Sequence, residues 1–323
     1  MPERYQPGRM ARSIVAALLG AGCGCLAAFA PALRRHPSPP VIAFVPRTTG
    51  TNFTEDMHRG AEAAARAAGY QIYWNGPTRE DDLDRQILIA DNAVHRGAKA
   101  LILGPTNIWG LTTMVNALTA RRLPVVFVQT EPAEPTGPYL TSVAPNQEEF
   151  GRLAAERVEA ATQGTVQVAI VGVSRGTPET LARADSFIRA ISACPRIQIV
   201  AEMPGGVQIM EAEQSARELV NAYPKLRAIF AVSADATQGV MLALQERGSH
   251  PGISLIGSDR DLFLAANLHD GKLDSLVTAD GYQIGYLAVQ TALAGIRGQP
   301  LPPPMRVGAE LLTRDTLIMN DNH

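Results

Sequence analysis

The sequence predicts an α/β protein of two doubly wound, Rossmann-like lobes, each a parallel sheet with helices on both faces. Three observations predict it. Short apolar runs such as Val41 to Val45 and Val125 to Val128 are continuous rather than alternating, which marks strands buried on both faces. Segments with helical spacing separate these runs, and several close on glycine, as at Gly69 and Gly97. Finally, 323 residues exceed what a single hydrophobic core usually serves, so the rhythm is divided between two units.

Taken in order, the strand Val41 to Val45 leads to a helix over Phe53 to Ala68 and the β-rich Tyr70 to Trp74. A helix from Leu83 to Arg96 precedes the strand Ala100 to Leu103, and a helix from Ile108 to Arg122 precedes Val125 to Val128. A second round begins after Asn146. Helix Glu148 to Ala161 feeds strand Val166 to Val171, helix Glu179 to Ser192 feeds Ile197 to Ala201, and helix Glu211 to Ala222 feeds Ala228 to Ala231. Helix Ala236 to Arg247 then leads to strand Ile253 to Ile256, and helix Leu262 to Asp270 to strand Leu276 to Thr278. Tyr282 to Gly295 reads as a further helix, and Leu301 to Pro304 as a Pro-rich connection.

Residues 1 to 32 stand apart. Arg4, Arg9 and Arg12 precede an uncharged stretch from Ile14 to Leu33, followed at once by Arg34 and Arg35, the order of a secretory signal. Ala30-Pro31-Ala32 supplies the preferred small-residue cut, with Ala28-Phe29-Ala30 as the alternative. An uncleaved membrane anchor and a lipoprotein acceptor at Cys23 are the competing readings. All three carry the rest of the chain across a membrane. Cleavage leaves Cys194 alone, so no intrachain disulfide is expected. With 29 basic against 31 acidic side chains and a net charge of −2, nothing offers a phosphate backbone a basic field, and nucleic acid is excluded as a partner.

In a doubly wound sheet, ligands bind beyond the carboxyl ends of the strands. Those ends carry Pro46 to Phe53, including Arg47 and Thr51, then Gln129 and Thr130 after the fourth strand. In the second half they carry Ser174 and Arg175, Ser233 to Asp235, Ser258 to Asp261, and Ala279 to Tyr282, including Asp280. A cleft between the lobes is the natural site. Gly172-Val173-Ser174-Arg175-Gly176 also fits the nucleophile elbow of a serine hydrolase, with His250 and His269 following. Against that, Thr177 and Pro178 intervene before the helix, whereas an elbow passes straight into it. The six histidines lack paired spacing, so neither a metal site nor a cofactor is expected.

From residue 41 to 318 the chain resembles the type I periplasmic binding proteins of the ribose and galactose group, the solute receptors of ABC transporters. The resemblance rests on Ile42 to Val45 followed by Phe53 and Arg59-Gly60-Ala61, on Gly97 to Ile102 with Pro105-Thr106, and on Leu123 to Val126. It continues through Arg183 with Phe187, Ala228 to Ala231, Gly257-Ser258-Asp259, Asp270 to Leu273 and Gln283-Ile284-Gly285. It implies a three-segment hinge near Ala144 to Asn146, Ala279 to Asp280 and Arg306 to Gly308. The lobes implied are 41–145 plus 280–307 and 146–279 plus 308–323, closing on a small carbohydrate.

By the resemblance, Phe53 stacks on a sugar face, Arg183 reaches ligand oxygens, and Asp259 accepts vicinal hydroxyls. The chain departs from the ribose pattern at Gln129-Thr130, at Ser233, at Ala279 with Asp280 beside it, and at Arg47. Ribose itself is thereby placed in doubt. Arg47 and Arg183 suit an acidic sugar, while Asp235 and Asp280 argue against one. Trp74 and Trp109 are secondary candidates for stacking. The resemblance further implies a monomer that docks on an ABC permease, with a sensory role in chemotaxis or with a kinase as the alternative. A lactose-type repressor would carry a helix-turn-helix where the export segment stands.

Overall fold

The computed structural model describes residues 38–320 apart from 176, 207 and 247–251. Residues 1–32, expected to direct export, and His250 lie outside the described residues. Pro40 onward forms one compact unit containing two six-stranded sheets.

The first sheet is built from β1 (Val41–Val45), β2 (Gln71–Trp74), β3 (Leu101–Leu103), β4 (Val125–Val128), β5 (Leu140–Pro145) and β11 (Met305–Val307). Its order is β2-β1-β3-β4-β5-β11, all parallel. The second is built from β6 (Val166–Val171), β7 (Ile197–Met203), β8 (Leu226–Ala231), β9 (Ser254–Ser258), β10 (Ser275–Ala279) and β12 (Ala309–Thr313). Its order is β7-β6-β8-β9-β10-β12. The two sheets are therefore wound alike, with β12 added antiparallel at the edge. In each sheet the order reverses beside the first strand laid down, the point where ligands gather.

The helices are α1 (Asn52–Ala67), α2 (Leu83–His95), α3 (Thr112–Ala120), α4 (Gln147–Ala161), α5 (Pro178–Ile191), α6 (Ile209–Ala222), α7 (Ala234–Glu246), α8 (Leu262–His269), α9 (Gly281–Ile296) and α10 (Arg314–Asn320). The apolar runs behave as their continuity predicts: Leu101–Leu103 and Val125–Val128 are buried throughout. Helix α9 lies so close to α1 that a Cβ on Gly60 would meet the Tyr282 carbonyl oxygen at 2.0 Å, and one on Gly285 the Met57 carbonyl oxygen at 2.0 Å. Among the described residues, no helix is long and apolar enough to cross a membrane.

The chain passes from the first sheet to the second between β5 and α4, returns between β10 and α9, and crosses again between β11 and β12. Four elements escaped the sequence reading: β5, β11, β12 and the short helix α10. Strand β5 carries Thr141 and Ser142 at its centre, and both are buried; Thr141 is accommodated because its hydroxyl donates to the Pro302 carbonyl at 2.7 Å. Strands β11 and β12 are too short to show a period. The predicted helix from Ile108 is shorter, beginning at Thr112, because the Asn107 side chain accepts from Gly110 N at 2.9 Å and holds the preceding residues in a turn.

Candidate functional site: a cleft between two sheets

A cavity of about 460 Å³ opens between the carboxyl ends of the two sheets. Phe53, the second residue of α1, lines one wall. Thr51 fixes that first turn: its hydroxyl accepts from Thr54 N at 3.2 Å, and Thr54 Oγ1 accepts from Thr51 N at 3.3 Å. Phe263, the second residue of α8, lines the opposite wall and is half exposed. Its helix is capped by Asp261, whose carboxylate accepts from Leu264 N at 2.6 Å and from Gln238 Nε2 at 2.8 Å. Two aromatic rings thus line one cavity, each the second residue of a helix that follows a strand end.

The centre of the second wall is Arg183 on α5. The residue is 5% exposed, and its guanidinium meets Asp259 in a paired contact, Nη1 to Oδ2 at 2.9 Å and Nη2 to Oδ1 at 3.0 Å. Nη1 also donates to the Val232 carbonyl at 2.9 Å, Nε donates to Gln147 Oε1 at 2.7 Å, and the group lies 3.9 Å over the Phe150 ring. Gln147 in turn donates to the Gln129 carbonyl at 3.3 Å, joining this network to the end of β4. Four of the five guanidinium hydrogens are engaged within the described residues. Arg183 therefore holds Asp259 in position and keeps a single donor for anything in the cavity. Asp259 and Gln129 both follow strands in the left-handed region, with φ of 66° and 71°, a strained setting typical of residues held for a purpose.

Arg47 is likewise engaged. Its Nε donates to the Pro105 carbonyl at 2.9 Å, and its Nη1 forms an ion pair with Glu179 at the start of α5, joining the loop after β1 to the second sheet. Burial pushes the Glu80 carboxyl above its usual range against the pull of Arg47, with Asp235, Glu179 and Asp259 adding to the rise. Burial also raises Asp235, helped by Asp261 and Asp259. Among the described residues, no group of three or more ligating side chains converges to hold a metal ion.

Of the residues singled out in the sequence, Phe53, Arg183, Asp259, Arg47, Thr51, Gln129, Ser233 and Asp235 line this cavity. Two do not. Thr130 is buried toward a second cavity of about 320 Å³ beside Gln147 and Arg306, whereas Gln129 borders both cavities. Asp280 caps α9, accepting from Gln283 N at 3.0 Å, which keeps it outside the cavity wall. Ser233 lines the cavity but is engaged as a cap, donating to the Gly206 carbonyl at 2.7 Å and accepting from Ala236 N at 3.1 Å.

Neither tryptophan reaches the cleft: Trp74 stacks on His58 at 4.3 Å between ring centroids, and Trp109 is 72% exposed on the surface. The stretch after β6 is no elbow, since six residues separate Val171 from Pro178. Ser174 Oγ accepts from Thr177 at 3.4 Å, and His269 is exposed at the end of α8 beside Asp270. The sequence reading passed over Glu80, Glu179, Gln238 and Phe263. For Phe263 a signal existed: like Phe53, it opens a helix just after a strand end.

A family model described as "Periplasmic binding protein domain" matches residues 42–300. The chain is 23% identical over 278 residues to the ribose import binding protein of Escherichia coli, covering 84% of this chain and 90% of that one. It is 24% identical over 298 residues to a D-ribose/D-allose-binding protein of Pseudomonas aeruginosa, covering 89% and 92%. A crystal structure of the periplasmic component of an ABC-type sugar transport system from Hahella chejuensis superposes with a TM-score of 0.78 at 26% identity, covering 85% of this chain and all of that one. Two sheets wound alike, a cleft at their facing carboxyl ends and a family match spanning most of the length lead to one conclusion: the chain belongs to the periplasmic binding protein family.

Proposed function

We propose that the protein is the solute-binding component of an ABC sugar importer, an exported receptor that traps a monosaccharide in the cleft and closes about the three crossings between its sheets. The observation that carries this reading is the pairing of Phe53, from the first sheet's side, with Asp259, from the second, on one cavity. An aromatic face covers the C–H face of a sugar ring, and an ionised carboxylate accepts hydroxyl donors at its edge. Hydroxyls leaving water need partners on both walls, so a ligand satisfying both favours the closed form. The relatives named for ribose and allose support a pentose or hexose. Uronic acids are disfavoured, because Arg183 and Arg47 already face Asp259 and Glu179.

The lobes in this reading are 41–145 with 280–307 and 146–279 with 308–323, the segment 1–32 directs export, and a single copy meets the permease. No catalysis is assigned; Ser174→Ala leaves sugar binding intact, whereas an esterase activity that this change abolishes would establish a hydrolase. A thermal-shift screen over pentoses, hexoses, polyols and uronic acids tests the reading, because a bound ligand raises the unfolding midpoint by mass action. A shift with a neutral sugar supports it, and the absence of any shift contradicts it.

A further inference from the structure

We infer that the ligand carries a protonated amine on its polyhydroxylated frame, an amino sugar or amino polyol, with the ammonium seated between Glu80 of one wall and Asp235 of the other. The inference rests on the sugar-receptor reading above and sharpens its ligand class.

It follows from what the cavity lacks. Five carboxylates line it, from Glu80, Glu179, Asp235, Asp259 and Asp261, against the guanidinium groups of Arg47, Arg183 and Arg260. Arg183 is taken up by Asp259, and Arg47 is paired with Glu179. The acceptors are not comparably matched. Neither Glu80 nor Asp235 has a hydrogen bond or ion pair among the described residues; both line the cavity, from opposite sheets, and Asp235 adds to the cost of ionising Glu80. Glu179 is only 8% exposed, and its Oε2 has no hydrogen-bond partner; Gln129 Oε1, also on the cavity wall, is buried without one. The unmet demand is for donors and for positive charge. A hydroxyl brings one donor and no charge, whereas an ammonium brings three donors and a full charge. Two carboxylates brought together across a cleft repel, and a cation between them turns that repulsion into attraction. A metal ion is a poor occupant, since no group of three or more ligating side chains among the described residues converges on one point.

The test is a calorimetric and thermal-shift comparison of matched pairs that differ by one amine: D-glucosamine with D-glucose, D-galactosamine with D-galactose, and D-mannosamine with D-mannose. It uses the purified protein at a pH where the amines are protonated. At least one amino sugar is expected to bind about tenfold more tightly than its partner, a preference that raised salt weakens. In Asp235→Asn, and separately in Glu80→Gln, that preference is expected to collapse to about threefold or less, with each variant's unfolding midpoint confirming that it folds. Binding of a neutral sugar with equal or weaker binding of its amine counterpart overturns this inference and leaves the receptor reading standing. Binding by none of the six, with a shift from a neutral pentose or polyol in the wider screen, also overturns this inference alone, and no shift with any sugar overturns both.

Discussion

Asp259 leaves β9 in a left-handed conformation and turns its carboxylate onto the buried Arg183, so the two form one unit rather than two independent ligand contacts. Removing one member of a buried charge pair strands the other, at a cost of about 3–5 kcal/mol when both are fully enclosed. Asp259 is 27% exposed, which softens the penalty. Arg183→Ala is therefore expected to destabilise the protein by about 2 kcal/mol, read by urea denaturation. An unchanged midpoint would show that the pair does no structural work. Glu80 makes a prediction of opposite sign. Its raised pKa means the folded state keeps a proton that the unfolded chain releases. Stability is accordingly lost as pH climbs from the ordinary glutamate range through the elevated folded value. Glu80→Gln removes that loss and is expected to raise the unfolding midpoint at pH 7 by about 2 °C, with the gain fading toward pH 4. A gain independent of pH would contradict it.

At the scale of elements, the tightest constraint is the contact of α1 with α9, where Gly60 and Gly285 let the backbones meet. Gly60→Ala drives a methyl into the Tyr282 carbonyl and is expected to cost about 2 kcal/mol, measured by thermal or urea unfolding. A neutral result would mean that the helices slide apart freely. The same contact shows what sequence can and cannot convey. The apolar runs of β1, β3 and β4 are legible because burial on both faces leaves no polar residue to interrupt them, and β6 and β8 carry one each, Gln167 and Arg227, near their starts. Strand β5 is not legible, since its centre is polar: Thr141 finds its partner only at Pro302, far along the chain, and the Ser142 hydroxyl is buried without one. The site divides along the same line. Phe53, Asp259 and Asp235 follow strand ends and are found by counting from them. Glu179 reads as an ordinary helix start until the fold brings it to Arg47, Asp280 follows a strand yet is claimed as the cap of α9, and Thr130 lines the second cavity instead.

Over the whole molecule, one winding pattern is used twice, and the duplicated strand ends face each other across a single cavity. The Arg47–Glu179 ion pair and the Gln147 bridge between Arg183 and the Gln129 carbonyl span the sheets and favour their approach. Glu179→Gln is expected to open the ligand-free protein, seen as a larger radius of gyration in small-angle X-ray scattering that contracts when sugar is added. An identical radius in both proteins would remove the ion pair from any part in closure. The central claim is that this cavity is the sugar site. Its most direct test is calorimetric titration of the sugar giving the largest thermal shift into the parent protein and into Phe53→Ala. Removing one stacking face is worth about 1 kcal/mol or more, so binding in the variant is expected to be weaker by about tenfold. Equal affinity in the two proteins would contradict the account.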